Sequence, residues 1–302
     1  MSYLLRSMLF VPGYNEKFLT KAIDCDADAL ILDIEDSVPA VNRPQARELI
    51  RKFLTERVFK NRQIFIRVNE LGTDDLSEDL KLMECPDIMG VVTPKIYTAE
   101  DLLSFEKMIL EKERECGKPE GEIKLAPLIE TAGAVMNLTE IARVSKRTIA
   151  LLYGGEDFLS DVWGKHIPDV DSFFVARGQV VMAARMNGLL PIDTPFLDLK
   201  NEEGYKHDQR KSAALGFAGD LLVTPQQIEW AHEIYTPTNG ELERSKAILA
   251  VAEEIRKQGG GIVKLNGKMI GPPVMKQAQR VMEIFKLIEE KNLREGRKDK
   301  SN

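Results

Sequence analysis

The chain has 302 residues, of which 43% are apolar, 30% charged and 7% aromatic, a composition typical of a globular protein. Its net charge of -6 argues against a nucleic-acid-binding protein, because such proteins need a basic face to neutralise phosphates. Three cysteines without a CxxC pair argue against a disulfide framework, and no apolar run approaches the ~20 residues of a membrane span. We therefore expect a cytoplasmic protein that contacts neither nucleic acid nor membrane.

Short apolar segments recur along the chain, and each ends in Gly, Pro, Asp, Asn or Thr before a segment with helical periodicity. The eight apolar segments cover residues 7–11, 29–34, 63–68, 90–93, 124–129, 149–153, 189–192 and 220–223. The helical segments between them include residues 17–24, 44–54, 99–115, 132–142, 173–186 and 203–215. Strands that are apolar throughout are typical of a parallel sheet buried on both faces, so eight such units predict an α/β fold, a (β/α)8 TIM barrel. An open doubly wound sheet is the alternative, but no Gly-x-Gly-x-x-Gly follows the first segment.

The residues after the eighth unit form a tail with its own pattern. A helix is predicted over 242–258, an apolar segment over 262–265, a turn at 266–267 and a last helix over 274–289. We predict a barrel domain over residues 1–234 and a C-terminal helical extension or cap over 235–302, whose last eight residues are disordered. The apolar residues of the tail predict burial against the barrel or against a neighbouring subunit.

Charged residues close most of the apolar segments, which is where a TIM barrel carries its reactive groups. These residues are Asp33, Glu35 and Asp36 at the end of the second segment, Arg67 in the third, Lys95 after the fourth, Glu130 after the fifth, and Glu156 and Asp157 after the sixth. Carboxylates that converge on one mouth repel each other unless a cation lies among them. The three histidines are far apart in sequence, so an oxygen-only site for Mg2+ or Mn2+ is favoured over zinc, with Glu130 and Asp157 as ligands.

Several of these residues have other interpretations. Glu130 and Asp157 could instead cap the helices that follow them. Arg67 lies where its guanidinium should be paired, either with a substrate carboxylate or internally with Glu35 or Asp36. Lys95 is a Schiff-base candidate only if its ammonium is desolvated. The Gly154-Gly155 pair is interpreted as a tight turn.

Eight linked segments of the sequence resemble one known family. In chain order they read RSMLFVPGYNEKFLTKA, ADALILDIEDSVP, IFIRVNE, TPK, APLIETAGAV, YGGEDF, ARGQVVMAARMNGLLPID and GFAGDLLVTPQQI. Together they resemble the citrate lyase β-subunit-like family within the HpcH/HpaI aldolase group. The resemblance implies a (β/α)8 barrel that forms a trimer or hexamer. It also implies the use of Mg2+ to make or break a carbon–carbon bond of a hydroxy-acyl-CoA.

The resemblance also implies roles for individual residues. The family's two metal carboxylates fall on Glu130 and Asp157, and the arginine that holds the keto-acid carboxylate falls on Arg67. Glu35 and Asp36 fall on the acidic pair that orders the metal's waters and the arginine. The basic residues that the family places near the CoA phosphates would be Arg6, Lys17 and Lys21.

Three positions depart from the family pattern. Asp220 and Thr224 replace a lysine and a histidine, and Gly271 replaces a tail aspartate that serves as acid/base at a neighbouring subunit's site. The leading hypothesis is a Mg2+-dependent lyase that converts citryl-, malyl- or citramalyl-CoA to an acyl-CoA and a small keto acid such as oxaloacetate, glyoxylate or pyruvate. The departures leave two alternatives open: an aldolase for a hydroxy-acid without CoA, and a non-catalytic or partner-dependent subunit of a lyase complex.

Overall fold

The structure is a computed structural model that describes residues 3–59, 61–167, 170–258, 263–265 and 268–295. The predicted turn at residues 266–267 and most of the predicted disordered terminus lie outside these residues. The described chain divides into two compact units, one of residues 5–233 and one of residues 234–295 with Tyr3 and Leu4. None of the described helices combines the length and the apolar composition needed to cross a membrane.

Eight parallel strands close into a barrel in which each strand pairs with the next and the eighth pairs with the first. They are β1 (Ser7–Pro12), β2 (Ala29–Asp33), β3 (Gln63–Arg67), β4 (Ile88–Thr93), β5 (Lys124–Ile129), β6 (Ala150–Tyr153), β7 (Leu190–Asp193) and β8 (Gly219–Leu222). The predicted (β/α)8 barrel is therefore confirmed, with every strand within two residues of its predicted position. Uniform burial along β2 and β6 to β8 explains why these segments contain so few polar residues.

The helices alternate with the strands as expected for a barrel. Those of the barrel unit are α1 (Glu16–Ile23), α2 (Arg43–Thr55), α3 (Asp74–Leu80), α4 (Ala99–Glu115), α5 (Ala132–Met136), α6 (Leu138–Val144), α7 (Gly155–Asp161), α8 (Phe174–Met186), α9 (Glu202–Leu215) and α10 (Gln227–Tyr235). The short helices α3 and α7 and the helix α10 are not predicted from the sequence. The single helix predicted over 132–142 is two helices, because the chain leaves helical geometry at Asn137.

Strand register decides which side chains meet at the carboxyl end of the barrel. Asp33 and Arg67, the last residues of β2 and β3, are direct partners in the ladder. The polar segments that follow β4, β5 and β6 emerge at the same end, because all eight strands run parallel. This end therefore gathers the charged residues that close the apolar segments.

The second unit contains two long helices and a hairpin. They are α11 (Asn239–Gln258), β9 (Val263–Leu265), β10 (Lys268–Ile270) and α12 (Pro272–Arg294), and β9 and β10 are antiparallel. Ile248, Ile270 and Ala278 form its small buried core. The hairpin is not predicted from the sequence, since three-residue strands are too short for a period to show.

Candidate active site at the carboxyl end of the barrel

A buried ion-pair network surrounds Arg67. Its Nε and Nη2 donate to the two carboxylate oxygens of Asp33 at 2.6 and 2.7 Å, and its Nη1 lies 3.1 Å from Glu35 and 3.5 Å from Asp36. The guanidinium also lies over the Phe10 ring, 4.7 Å from its centroid. Glu35 and Asp36 do contact Arg67, as predicted for internal partners, but the bidentate partner is Asp33.

Asp33, which the sequence places at the end of the second strand, was not predicted to pair with Arg67. Its side chain is fully buried and also accepts hydrogen bonds from the backbone N–H groups of Glu35 and Ser37. Burial alone would raise the pKa of Asp33, but Arg67 and these donors outweigh it and hold the pKa below its usual range. The available signal was its position as the last residue of the strand, directly beside the strand that ends in Arg67.

Glu130 follows β5 and points its carboxylate into the barrel mouth. It is 3% exposed, and its Oε1 accepts a hydrogen bond of 2.6 Å from the backbone N–H of Lys95. Burial, reinforced by the charges of Asp157 and Glu35, raises the pKa of Glu130 to about 7 despite that hydrogen bond. Thr131, and not Glu130, caps α5 by accepting from Ala134 N–H, so the capping interpretation of Glu130 is wrong.

Two further carboxyls at the mouth resist ionisation. Burial raises the pKa of Glu35 to about 7, with a contribution from Asp36, although Arg67 opposes the shift. Asp157 lies in the first turn of α7, at the exposed rim, and burial of its carboxyl together with the charge of Asp36 raises its pKa. The helix begins at a Gly154 cap without a side-chain hydrogen bond, so Asp157 does not act as its N-cap. Acids that are all pushed toward the neutral form mark a place where a cation would be stabilised.

Lys95 links two of these acids from a strained backbone position. Its φ of 49° lies in the left-handed region, which a non-glycine residue adopts only when its surroundings impose it. The conformation directs the backbone N–H to Glu130, while Nζ lies 3.2 Å from Glu35 Oε1. Partial burial lowers the pKa of Lys95, but Glu35 outweighs this effect and raises it, so the ammonium stays protonated and is unsuited to a Schiff base.

The donor set at the mouth fits a hard divalent cation. Glu130 and Asp157 supply two carboxylates with raised pKa values, which is the number that Mg2+ typically takes from a protein. In the described part of the chain, no three His, Cys, Asp or Glu side chains converge closely enough to bind a metal by themselves. A cation held here would therefore keep positions for water and for substrate oxygens.

Gly154 makes room for the Glu130 side chain. A Cβ at Gly154 would lie 2.5 Å from Glu130 Cβ and 2.9 Å from Oε2, which is closer than real side chains approach each other. The Gly154-Gly155 pair is therefore more than the tight turn predicted from the sequence, because its first residue is set by the contact with a site carboxylate.

Gly154→Ala is expected to weaken Mg2+ binding about 10- to 100-fold, since overpacking typically costs about 1–3 kcal/mol and the added methyl must push Glu130 aside. Isothermal titration with MgCl2 measures the effect. Gly178→Ala is the matched control, because a Cβ on that residue of α8 meets nothing within 4 Å and should stabilise the helix. Equal Mg2+ affinities in the two variants would contradict the role of Gly154.

Mg2+ affinity is expected to rise about tenfold or more between about pH 6 and pH 8, because Glu35 and Glu130 have pKa values of about 7 and protons compete with a cation. Stability of the metal-free protein should move the other way. Since the folded pKa of each group lies above its ordinary value of 4.5, their stabilisation is complete below about pH 4.5 and is lost as the pH rises through 7. Calorimetric titration checks the first trend and thermal unfolding in EDTA the second; a pH-independent Mg2+ affinity would contradict the first, and a pH-independent Tm in EDTA the second.

A cavity of about 330 Å³ opens between these residues at the barrel mouth. Its charged lining comes from Asp33, Arg67, Glu130, Glu156 and Asp157. Its apolar lining comes from Phe10, Pro12, Leu128, Pro195, Leu197, Leu221 and Val223. The predicted residues Arg67, Glu130 and Asp157 thus share one small cavity, and Glu35 and Asp36 contact its arginine.

The predicted CoA-binding residues lie in different places. Arg6 directly precedes β1, at the amino end of the barrel, and its Nε and Nη2 each lie 2.8 Å from the buried Asp28 carboxylate. The prediction that Arg6 binds CoA phosphates is therefore wrong, because its guanidinium is buried in an ion pair at the opposite end from the mouth. Lys17 is exposed in the first turn of α1, which follows β1 at the mouth end, and its role stays a prediction.

Asp220 lies away from the mouth. Its buried Oδ2 accepts a hydrogen bond of 2.9 Å from Tyr205 Oη of α9. Burial, with the charge of its β7 ladder partner Asp193, raises the pKa of Asp220 well above its usual range. The Asp220 side chain thus lies between the barrel sheet and helix α9. The replacement of the family's lysine by Asp220 therefore does not favour a change of substrate. Thr224 lies in the loop after β8, where its N–H donates to Gln227 Oε1 at 3.1 Å.

Comparison with known proteins agrees with this geometry. The family profile described as HpcH/HpaI aldolase/citrate lyase matches residues 6–225. The chain is 34% identical to a citrate lyase subunit beta of Leuconostoc mesenteroides subsp. cremoris, over 93% of each chain. It is 29% identical to a mitochondrial citramalyl-CoA lyase of Mus musculus, over 95% of this chain and 87% of that one. The crystal structure of protein CitE from Mycobacterium tuberculosis with magnesium, acetoacetate and coenzyme A is similar, with a TM-score of 0.73 and 26% identity over 92% of this chain and 97% of that one.

Proposed function

Because the chain belongs to the HpcH/HpaI aldolase/citrate lyase family, we propose that it is a Mg2+-dependent lyase whose barrel unit carries the active site. It cleaves or forms the carbon–carbon bond between the keto-acid half and the acyl half of a hydroxy-acyl-CoA of the citryl, malyl or citramalyl type. The observation that carries the proposal is the meeting of Arg67, Glu130 and Asp157 in one cavity of the barrel mouth. The similarity to a citramalyl-CoA lyase and to the CitE structure that contains magnesium and coenzyme A supports the proposal.

The residues of the mouth divide the work of binding. Glu130 and Asp157 would hold the metal, which supplies Lewis-acid polarisation of the keto and carboxylate oxygens when bound. Arg67 binds the carboxylate of the keto-acid half, and Asp33 holds the guanidinium rigidly in place from behind. Asp36 is the partner of Arg67 that yields most easily to a substrate, because it is exposed and 3.5 Å away.

Glu35 is the candidate for proton transfer in this arrangement. It lies between Arg67 Nη1 at 3.1 Å and Lys95 Nζ at 3.2 Å, which restrain both of its oxygens. With a pKa of about 7, its carboxyl exchanges a proton readily at neutral pH. In the cleavage direction the hydroxyl of the substrate gives its proton to the ionised Glu35 carboxylate, the carbon–carbon bond breaks as the keto group forms, and its electron pair leaves on the thioester half as an enolate, which takes up a proton to become the acyl-CoA.

The isolated chain tests the proposal. With MgCl2 and each of citryl-, malyl- and citramalyl-CoA, at least one substrate is expected to release a keto acid, and EDTA should stop the release. Absence of turnover with all three, combined with copurifying proteins that restore it, would instead support a partner-dependent subunit.

Gly271 favours a second candidate, an aldolase that acts on a hydroxy-acid without CoA, because glycine lacks the carboxylate that the family pattern places in the tail. The residue caps α12 with φ of −126°, and a Cβ there would meet only Pro273 Cδ at 3.9 Å. The position is therefore open to a side chain without strain.

Gly271→Asp is expected to fold normally and to raise thioester cleavage about 100-fold or more if the missing carboxylate limits the reaction, since a general acid/base is worth roughly that much. Steady-state kinetics with citramalyl-CoA and with free citramalate measure the change. Gly271→Asn supplies a similar helix cap without a titrating group, so a rise in both variants would point to stability rather than proton transfer.

A further inference from the structure

The cavity at the barrel mouth has two unlike sides. Arg67, Glu130 and Asp157 line one side, where a metal and a substrate carboxylate would be held. The segments that end or follow β7 and β8 contribute Thr194 and the apolar residues Pro195, Leu197, Leu221 and Val223 to the other side, whereas Phe10 of β1 lies against the Arg67 guanidinium. A small ligand bound through its charged end to the first side therefore directs the rest of its structure toward carbon atoms.

The distribution of cations separates the two sides further. Among the described residues that line the cavity, Arg67 is the single cation, and Asp33, Glu35 and Asp36 surround it. Lys95 is not among these lining residues, and its ammonium contacts Glu35. A second substrate carboxylate would thus face an apolar wall, in a cavity that is already lined by four acids and one arginine. A carboxylate that is desolvated without a positively charged partner binds poorly.

We propose that this cavity selects a 2-keto monoacid with a short apolar tail, such as pyruvate or 2-oxobutyrate, over a keto dicarboxylate such as oxaloacetate. The proposal rests on the proposed lyase function and narrows its substrate to the citramalyl type. The volume of about 330 Å³ suits so small an acid beside a hydrated metal.

Binding of matched keto acids to the full-length chain with MgCl2 tests the selection. The informative pair is 2-oxobutyrate and oxaloacetate, which have the same number of carbon atoms and differ in a methyl against a carboxylate. Isothermal titration is expected to give a Kd at least about tenfold lower for 2-oxobutyrate and pyruvate than for oxaloacetate. Oxaloacetate is used fresh, and the pyruvate released from it during the titration is measured and subtracted.

Two other results would be distinguishable. Oxaloacetate that binds as tightly as 2-oxobutyrate, or more tightly, overturns the selection and leaves the lyase function standing. Absence of binding by all three keto acids in the presence of Mg2+ overturns the proposed function, and the selection with it.

A variant that adds a cation to the apolar wall provides a second test. It compares the ratio of the affinities for 2-oxobutyrate and oxaloacetate, so a general change in affinity does not affect the result. Val223 follows β8 and is about one-third exposed, so a long side chain can be added there. Val223→Arg is expected to shift the ratio of the two affinities toward oxaloacetate by about tenfold, whereas Val223→Gln, which adds length without charge, should not reverse their order. Leu197→Arg, at an exposed position of the same wall, repeats the experiment if the first variant folds poorly. A ratio that is unchanged in a folded arginine variant would overturn the proposal.

Discussion

Glu130→Gln is expected to lower Mg2+ affinity and lyase activity by roughly 100-fold or more. Mutation of a residue that merely hydrogen-bonds to a metal ligand typically costs about 10- to 100-fold, and loss of the ligand itself should cost more. The glutamine keeps the shape of the side chain and can still accept the hydrogen bond from Lys95 N–H. What it removes is the negative charge that would hold the cation. Calorimetric titration with MgCl2 and steady-state kinetics measure the two losses.

The same variant should make the metal-free protein more stable, which separates loss of a ligand from loss of folding. At about pH 8 the native protein must keep Glu130 ionised although its pKa is raised to about 7 from 4.5, and this costs about 3 kcal/mol. Glutamine removes that cost, so the Tm in EDTA should rise. Glu156→Gln is the control, because that carboxylate lies 3.1 Å from exposed His166. If Glu130→Gln keeps Mg2+ binding while Glu156→Gln loses it, the assignment of the ligand is refuted.

Asp33→Asn is expected to destabilise the protein by about 3–5 kcal/mol and to abolish keto-acid binding, because it breaks a buried bidentate ion pair by removing one partner. An asparagine side chain there could not offer two oxygens to Arg67, and its amide N–H would oppose the guanidinium. Since the native pKa of Asp33 is depressed, its stabilisation is present above the ordinary value of 3.8 and is lost as the pH falls through the folded pKa. Urea unfolding at neutral pH and binding titrations with pyruvate measure the two effects.

Asp28→Asn is a closely matched control for this prediction. Asp28 precedes β2 and Asp33 ends it, so the two acids lie at opposite ends of one strand, and each forms a buried bidentate pair with an arginine. We expect Asp28→Asn to lose stability on a similar scale but to retain keto-acid affinity in its folded fraction. Equal loss of affinity in both variants would show that Asp33 acts through general stability alone.

The sequence predicted where charged residues converge, though not what they do there, because convergence depends on strand order. Glu130, Asp157 and Arg67 each close an apolar segment, and in a parallel barrel every such residue emerges at one end, so their meeting in one cavity follows from the pattern. Arg6 was placed wrongly for the corresponding reason. It precedes a strand rather than following one, and its position relative to β1 already directs it to the amino end, where it pairs with Asp28.

Side-chain partnership, in contrast, required three-dimensional coordinates. Glu35 and Asp36 were the internal partners predicted for Arg67, and only the ladder register with β3 shows that Asp33 instead accepts from both N–H groups. The left-handed conformation of Lys95 and the contact between Gly154 and Glu130 depend on segments that are distant in sequence. Contacts between distant segments produce no periodic pattern and no unusual composition in either segment, so the sequence does not reveal them.

By itself the sequence predicted a parallel sheet covered by helices, because its strand segments are apolar on both faces, and their number, eight, favoured a closed barrel over an open sheet. It also determined which end of that barrel carries the charge. The tertiary structure alone decided which charges touch, which carboxyls have their pKa raised to about 7, and that one wall of the mouth is apolar. Burial and distance set these properties, and both arise only when segments far apart in the chain pack together.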